Sequence, residues 1–416
     1  GIIAAKGHHT NMIQTIIHRL LRRRHFWRYA TFDEVAELYA SRVMRLLAQY
    51  MINMFVAVYL YQAGYSLVFI TSYYVISFAF RSMVVFFAAR FIAKFGPKHG
   101  ILAGNLLYIP ALLVFPLEPV VGVPAVIIFG FFQSLSLVTF DLGYMVDFSK
   151  VKHVEHAGKE IGYMQIFERL TASLSPLIGG AVAFFIAPQA TMILSAILFT
   201  AASVPLFRTK EQVRLYQKLE FKRFPWKDTW RTIRAETAIG ADINASNFVW
   251  VLFLTVTVFA TSSNNIYLTL GAFASITVIT SFFSAYAFGR IIDWRHGGDL
   301  LKVASIANSL THVFRAFVTA APGVAAVNIT NEVTTTGYSM AYLRGIFDTA
   351  DRATGHRIVY LMFVSVAMNF GACMSALLLT LLLLVLPNQT NAFQLFFAIT
   401  AAYVLLLMTA RFKLYR

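Results

Sequence analysis

The chain has 416 residues, of which 58% are hydrophobic and 13% are charged, and its formal net charge is +16 at pH 7. Soluble globular domains carry about 25% charged residues, so this composition excludes an ordinary soluble protein and indicates a polytopic membrane protein. The basic excess would also suit a nucleic-acid-binding protein, but Lys and Arg cluster here between apolar segments, where they orient helices and meet anionic headgroups. We therefore expect anionic membrane lipids as partners, and no nucleic acid.

The chain begins with a basic arm over residues 1–36. Leu20, Leu21, Phe26 and Trp27 stand among its arginines, a composition that suits a helix lying on the inner membrane surface and anchoring the topology. No apolar segment of secretory type precedes a small-residue cleavage site. The arm is therefore not predicted to be a signal peptide.

Apolar runs near the 20 residues that cross a bilayer follow in a regular series. The predicted spans are residues 37–61, 66–93, 99–115, 120–146, 161–186, 191–207, 239–260, 266–294, 300–319, 324–347, 356–386 and 392–411.

The connections between these spans alternate in charge. No Lys or Arg occurs at 63–66, 117–123, 187–190, 262–265, 320–323 or 387–391, whereas the other connections and both termini hold nearly all basic residues. Basic loops stay in the cytoplasm, so the sequence predicts 12 transmembrane helices with both termini cytoplasmic. The minimal outer loops favour a bacterial inner membrane.

A repeat divides the spans into two halves. Residues 89–93 (ARFIA) end the second span, and residues 289–293 (GRIID) end the eighth. Two halves of equal orientation are the parallel repeat of one large transporter architecture. We therefore predict an all-α polytopic membrane protein of two pseudo-symmetric six-helix bundles, residues 37–207 and 239–411. A cytoplasmic linker over 208–238, predicted to form an interfacial helix, joins them, and a tail follows over 412–416.

The loop after the second span carries a motif. The major facilitator superfamily has the pattern G-x-L-x-D-R-x-G-R-K at this place, and the chain resembles that family here and in the repeat, over about residues 37–411. Ala93 replaces the acid in the first copy, whereas Asp293 keeps it in the second. The resemblance implies a cytoplasmic gate that is made in one access state and broken in the other, formed by Ala89, Arg90, Gly96, Lys98, Gly289, Arg290 and Asp293.

The fifth span contains the residues Ser175, Pro176, Gly179 and Gly180. Small residues at this spacing permit close helix packing, and Pro with Gly makes a kink or a flexible point. The run resembles the antiporter motif of the superfamily, G-x-x-x-G-P-x-x-G-G. An antiporter role and simple packing both remain open.

Polar side chains inside the spans indicate a cavity, because a mid-bilayer charge costs at least about 2.5–3.5 kcal/mol. The tenth span places such residues at helical spacing. In the superfamily, helices one, four, seven and ten line a central cavity, although bonding of a Ser or Asn to its own helix is the alternative. The candidates are Gln49, Asn53, Gln133, Ser136, Asn244, Asn247, Trp250, Asn328, Asn331, Glu332, Thr335 and Ser339.

Charged residues deep in the spans point to ion pairs or proton carriers. Arg81 is predicted to pair with Asp141 or Glu168, either as a permanent pair or as a carboxylate that alternates between a proton and the arginine. Glu332 is the preferred proton carrier, because its own polar stripe holds no basic neighbour. Arg315 is expected at the periphery, extending toward the membrane surface.

Motifs of enzymes are absent from the sequence, including Walker loops and zinc-protease patterns. Cys373 is the single cysteine, so an intramolecular disulfide and a cysteine metal cluster are excluded. We expect no enzyme activity, no metal and no cofactor.

The resemblance implies a secondary transporter that works by alternating access. An aromatic content of 15% and the antiporter-like run favour export of a small amphipathic or lipophilic solute in exchange for protons. The alternatives are movement of a lipid or lysolipid between leaflets, uptake of a sugar or metabolite, and a scaffold or receptor of this fold that has lost transport. A monomer is expected.

Overall fold

The computed structural model describes residues 32–151, 157–207, 218–260, 265–293, 296–353 and 355–415. These ranges are mostly helical and contain no β-strand. Most of the basic arm and the first part of the linker, residues 1–31 and 208–217, lie outside them. The interfacial helices predicted there stay predictions.

The first part of the chain forms six long helices. Helix α1 stops at Asn53 and resumes after two residues as Val56–Gln62. The helices are α1 (Phe32–Asn53), α2 (Leu67–Phe95), α3 (Pro97–Val114), α4 (Val123–Val151), α5 (Ala157–Phe185) and α6 (Pro188–Ser203).

The second part repeats this arrangement with more irregular backbone. Helix α7 continues beyond Asn244 through two π-helical turns, Ala245–Val249 and Leu254–Val258, and α8 breaks for two residues. The helices are α7 (Trp226–Asn244), α8 (Ile266–Ser275 and Val278–Asp293), α9 (Gly297–Arg315), α10 (Ala321–Arg352), α11 (Arg357–Val385) and α12 (Gln389–Val404).

The start of α7 differs from the sequence prediction. Residues 226–238 were assigned to an interfacial linker helix, but they form the first turns of α7. Thr232 and Ala235 are fully buried, and Tyr360 on α11 donates a hydrogen bond to Thr232 Oγ1 at 3.3 Å. The amphipathic pattern of this segment therefore reflects one face packed against α11, with Trp230 on the exposed face.

Nine helical segments of the described ranges are long and apolar enough to cross a membrane. Helices α5, α9 and α10 are long but do not meet that test, because polar side chains such as Glu168, His312 and Glu332 lower their hydropathy. All three pack within the same helical bundle. The polar residues of α5 and α10 line an interior cavity. Helix α9 contributes only Arg315 to that cavity and exposes apolar side chains such as Leu310 and Phe314.

Contacts between the first and second groups of helices follow two seams, α2 with α11 and α5 with α8. The α5–α8 seam is very close. A Cβ atom on Gly180 would overlap the carbonyl oxygen of Tyr267, and Gly179 approaches the backbone of Met51 on α1 in the same way. Glycine is needed at both positions because backbone occupies the space of a side chain.

Aromatic contacts join the two groups on both sides of a central cavity. We call the end of the bundle at which α2 and α4 finish the basic end. Toward that end, the rings of Phe148 and Phe347 are 5.2 Å apart. Toward the opposite end, Phe55 and Tyr267 are 5.4 Å apart. Apolar clusters built from both groups of helices surround each pair.

Candidate functional site

A cavity of about 580 Å³ lies at the centre of the bundle, between α1, α2, α4 and α5 on one side and α7, α8, α10 and α11 on the other. This volume is in the range of sites for small molecules. The structure brings most of the sequence-predicted residues to its wall: Gln49, Asn53, Arg81, Gln133, Asp141, Glu168, Asn247, Trp250, Asn328, Asn331, Glu332, Thr335 and Ser339.

Two predicted cavity residues lie behind the wall instead. Ser136 is fully buried and donates to the carbonyl of Gly104 on α3 at 2.5 Å. Asn244 is also buried, and its amide donates to Ser375 on α11 at 3.0 Å. Both side chains connect neighbouring helices, so their assignment to the cavity was wrong. Each side chain lies on a face of its helix that contacts a neighbouring helix instead of the cavity.

Arg42 on α1 is the partner of the acids on the first side of the cavity. Its Nε donates to Glu168 at 2.5 Å, and its Nη1 lies 3.9 Å from Asp141. Its guanidinium also lies 3.8 Å from the ring centre of Tyr144, at cation–π distance. These contacts hold α1, α4 and α5 together through charge.

Arg45, one turn further along α1, is fully buried. It donates to Asn105 Oδ1 and to Ser136 Oγ, both at 3.1 Å, and stacks 3.9 Å from the ring centre of Phe140. Sequence reasoning did not single out Arg42 or Arg45. The rule that identified Arg81 applies equally to them, because both stand within the first predicted span.

Arg81 does not form the predicted ion pair. Its Nη2 donates to Gln133 Oε1 at 3.2 Å and its Nε to Ser134 Oγ at 3.3 Å. No carboxylate of the described residues lies within 4.0 Å of it. The prediction was wrong because Arg42 on α1 pairs with Glu168 and also lies near Asp141.

Gln133 is the centre of a neutral hydrogen-bond network beside Arg81. Its amide nitrogen donates to Asn53 Oδ1 at 3.1 Å and contacts the hydroxyl of Tyr108 at 2.9 Å. Tyr108 in turn donates to Asn53 at 2.7 Å, and Tyr73 donates to Gln133 Oε1 at 3.3 Å. With both ends of the amide engaged, its oxygen is held toward Arg81.

Glu332 has no basic neighbour in its own polar stripe on α10, but it has one on another helix. Arg169 on α5 lies 3.7 Å from Glu332 on α10, and it donates to Ser339 at 3.1 Å. Thr336 donates to Glu332 at 3.1 Å. The arginine was missed because it comes from another helix, 163 positions away in the chain by 332 − 169. The pair joins the two groups of helices across the cavity.

A second charged network lies on the other side of the cavity, and Arg315 belongs to it. Asp242 Oδ1 is 2.8 Å from His312 Nε2, and Asp242 also accepts a short hydrogen bond from Tyr338. Arg315 Nη1 is 3.0 Å from His312 Nδ1, and Nη2 donates to Asn331 at 2.8 Å. Arg315 is only 1% exposed, so its predicted peripheral position was wrong.

Asp242 and His312 were missed by the sequence analysis. Asp242 stands close to residue 239, the predicted start of the seventh span, and a charge at that place is typical of a helix end at the membrane surface. In the structure α7 begins at Trp226, so Asp242 lies well inside the helix and is buried. Ser246, in the π-helical turn that follows, donates to Asp242 at 2.8 Å and accepts from Arg315 at 2.9 Å. Such π-turns are frequent at functional sites.

Glu236 is a further acid of the cavity wall that the sequence analysis missed. It is 5% exposed, its Oε2 is buried without a hydrogen-bond partner, and no basic residue of the described chain lies within 4.0 Å of it. Trp250 is oriented on the same side by a hydrogen bond to Asn328 Oδ1 at 2.9 Å. The wall thus combines paired charges, one acid without a cation, and amides.

The predicted gate residues lie at the basic end. Gly96 joins α2 to α3 with φ of 95°, a conformation that favours glycine. Lys98 is buried and Arg90 is exposed. In the second copy Arg290 is exposed, Gly289 is buried and Asp293 ends α8. A gating role for these residues stays a prediction.

The helix-five motif lies inside a continuous helix. Helix α5 runs through Pro176 without a break, and Ser175 donates to the carbonyl of Thr171 at 2.5 Å. Gly179 and Gly180 have the close-packing role described above. No cluster of three or more potential metal ligands occurs among the residues that the structure describes.

Comparisons with known proteins agree with this architecture. The model of the Major Facilitator Superfamily matches residues 38–405. No curated protein matches the chain in sequence.

Solved transporters share the fold. The E. coli fucose:proton symporter FucP is 12% identical with a TM-score of 0.64, and the match covers 91% of this chain and 99% of that one. A peptide transporter POT is 11% identical with a TM-score of 0.66, covering 90% and 93%. At these identities the likeness shows the fold alone. The family match, in contrast, covers most of the chain, so the chain is an integral membrane protein that belongs to the major facilitator superfamily of transporters.

Proposed function

We propose that the chain is a proton-coupled secondary transporter that binds a small amphipathic solute in the central cavity and works by alternating access. The observation that carries this proposal is the Arg169–Glu332 pair, which joins α5 to α10 inside the cavity at 3.7 Å. A charge pair across the cavity links the protonation of one side chain to the relative position of two groups of helices.

The proposed topology has twelve crossings with both termini in the cytoplasm. Nine candidate spans support it, and we assign the remaining three crossings to α5 and α10, which line the cavity, and to α9, which contributes Arg315 to it. The proposed bundles are residues 37–207 and 239–411, which the two seams α2–α11 and α5–α8 bring together. The bundles rock about these seams in the proposed cycle.

Protonation of Glu332 is the proposed coupling step. The neutral carboxyl loses its attraction for Arg169 but keeps its hydrogen bond from Thr336, so the contact between α5 and α10 weakens. A tenfold shift between two conformations requires about 1.4 kcal/mol, which is less than the attraction of about 4 kcal/mol between unit charges 4 Å apart at an effective dielectric constant of 20. Asp141 and Glu168, both beside Arg42, are the equivalent candidates on the other side.

Antiport, with export of the solute, is the proposed direction. Its support is the run containing Ser175 and Pro176 on α5, together with the aromatic side chains Phe78, Phe248 and Trp250 of the cavity wall. Lipid movement loses one of its supports, because α11 has 29 residues and α2 and α4 have 29 each. Its length therefore does not distinguish α11.

The test uses purified protein in liposomes that contain a pH-sensitive dye. Aromatic amines, alcohols and carboxylates are added outside, with and without an imposed pH gradient. We expect solute-dependent proton movement in the wild type and its loss in Glu332→Gln. Opposite movement of protons and solute indicates antiport, and movement in the same direction indicates symport and overturns the export direction. If no member of the panel moves and none moves protons, the transport proposal fails and a scaffold remains.

A further inference from the structure

Arg81 is the cavity arginine whose charge has no acid beside it. The side chain is 7% exposed and lines the cavity from α2. Both of its hydrogen bonds go to neutral groups, Gln133 Oε1 and Ser134 Oγ, and its Nη1 makes no hydrogen bond to the described residues. A guanidinium has five N–H donors, so several of them remain available.

The other three arginines of the cavity wall each contact an acid, either directly or through one bridging residue. Arg42 binds Glu168 directly, and Arg169 lies beside Glu332. Arg315 reaches Asp242 through His312 and Ser246, which contact both residues. Arg81 alone of these four has neither a carboxylate within 4.0 Å nor a single bridging group to one among the described residues. A buried charge of this kind is costly until an anion approaches it.

The position of Arg81 is fixed before any ligand arrives. Gln133 is held by Asn53, Tyr108 and Tyr73, so its oxygen holds one edge of the guanidinium in place. A guanidinium that is already oriented binds a carboxylate or phosphate with little further loss of freedom, and the planar fork favours two parallel hydrogen bonds.

Aromatic rings lie next to this charge. Phe78, one turn from Arg81 on α2, has its ring centre 5.0 Å from the guanidinium. Phe248 on α7 faces Phe78 at 5.9 Å between ring centres, and both rings line the cavity. The site therefore offers a cation and an apolar surface side by side, contributed by both groups of helices.

We infer that Arg81 is a binding site for the anionic group of the transported solute, and that this solute is a small organic anion whose apolar part packs against Phe78 and Phe248. This inference rests on the proposed transport function and names its substrate class. The anionic group occupies the free donors of Arg81, while Gln133 and Ser134 keep the guanidinium in place.

The test compares matched probes that differ only in charge. Binding of benzoate and benzamide, and of 4-phenylbutyrate and 4-phenylbutyramide, is measured by calorimetry and by thermal unfolding of the purified full chain. We expect the anion of each pair to bind at least about tenfold more tightly than its neutral partner, because hydrogen bonds between two charged groups are stronger than neutral ones. In Arg81→Gln that preference is lost, while binding of the neutral partner is unchanged.

The matched control is Arg352→Gln, which removes an arginine that is 54% exposed and pairs with Asp348 away from the cavity. It should keep the anion preference. If Arg81→Gln does not fold, Arg81→Lys decides the matter, because lysine keeps the charge but not the fork. The Arg81→Lys substitution should weaken binding of the anion and leave binding of the neutral partner unchanged.

Two results would overturn the inference: no preference for the anion in either pair, or a preference that survives in both Arg81 variants. Proteoliposome flux separates this failure from that of transport. Movement of neutral probes with protons, without an anion preference, keeps the transport proposal and rejects the anion site. Binding that requires Arg81 without any flux keeps the anion site and rejects transport.

Discussion

Arg315 Nη1 lies 3.0 Å from Nδ1 of His312. Because arginine only donates, His312 accepts at Nδ1 and carries its proton on Nε2, facing Asp242 at 2.8 Å. The geometry therefore requires a neutral imidazole. A second proton on Nδ1 would place two donors against each other and break the contact between His312 and Arg315, leaving Arg315 with Ser246 and Asn331.

His312→Gln should destabilise the protein by about 1–3 kcal/mol, because a buried network that loses one member leaves Asp242 and Arg315 with unmade hydrogen bonds. The measurement is the midpoint of thermal unfolding of the detergent-purified protein. His296→Gln is the control, since His296 is exposed and makes no capping hydrogen bond at the start of α9. Equal midpoints for both variants would contradict the role of the network.

Glu332→Gln should abolish flux driven by a pH gradient while leaving solute exchange in the absence of a gradient. The substitution removes the proposed proton carrier and the charge that attracts Arg169, but keeps a side chain of the same shape. The measurement is solute flux in proteoliposomes under both conditions. Asp228→Asn, which removes an exposed acid paired with Lys413, should behave as the wild type. Gradient-driven flux that persists in Glu332→Gln would reject this carrier.

Glu168→Gln and Glu236→Gln should differ in their effect on stability. Glu168 accepts a hydrogen bond from Arg42 at 2.5 Å. Its neutralisation should therefore lower the free energy of unfolding by about 1.5–3 kcal/mol, as for the loss of a hydrogen bond to a charged group. Glu236 has no cation within 4.0 Å, so its neutralisation should leave stability unchanged or raise it. Thermal unfolding of the two variants measures the difference. A larger loss for Glu236→Gln would contradict the reading of Glu236 as an acid without a partner.

Gly180→Ala should destabilise the α5–α8 seam by about 1–3 kcal/mol, in the range of other overpacking substitutions. The added methyl overlaps the carbonyl oxygen of Tyr267, which as backbone has little freedom to move away. Gly323→Ala is the control, because its new methyl meets only the side chain of Val318, at 3.3 Å. Unfolding midpoints report stability, and flux reports movement at the seam. Similar midpoints would show that the seam is looser than the structure has it.

The polar residues of α10 illustrate what could be predicted. Asn328, Glu332, Thr335 and Ser339 recur at the helical period, and all four line the cavity. One helix face is determined by the chain itself, because side chains three or four positions apart share it. Ser136 and Asn244 fall just outside, since no single-helix pattern reports how far the helix is rotated toward its neighbours.

The partners of the charges could not be predicted in the same way. Arg81, Arg42 and Arg45 are all compatible with an acid on α4 or α5, and the choice of Arg42 for Glu168 depends on how α1 packs across 126 positions of chain. The network of Asp242, His312 and Arg315 could be predicted only if the start of α7 at Trp226 were known. The basic residues before Asp242 led that segment to be assigned to the linker. Each error arose where a contact joins different helices.

By itself, the sequence determined that this is a membrane protein of apolar helices with basic loops at alternate turns, because the bilayer imposes its length and its charge rule on each segment separately. Only the tertiary structure decided which buried charges form pairs, which of these pairs cross the cavity, and that Arg81 has no acid beside it. The physical reason is that burial and pairing of a charge depend on the rotation and approach of several helices at once, and no one segment contains that information.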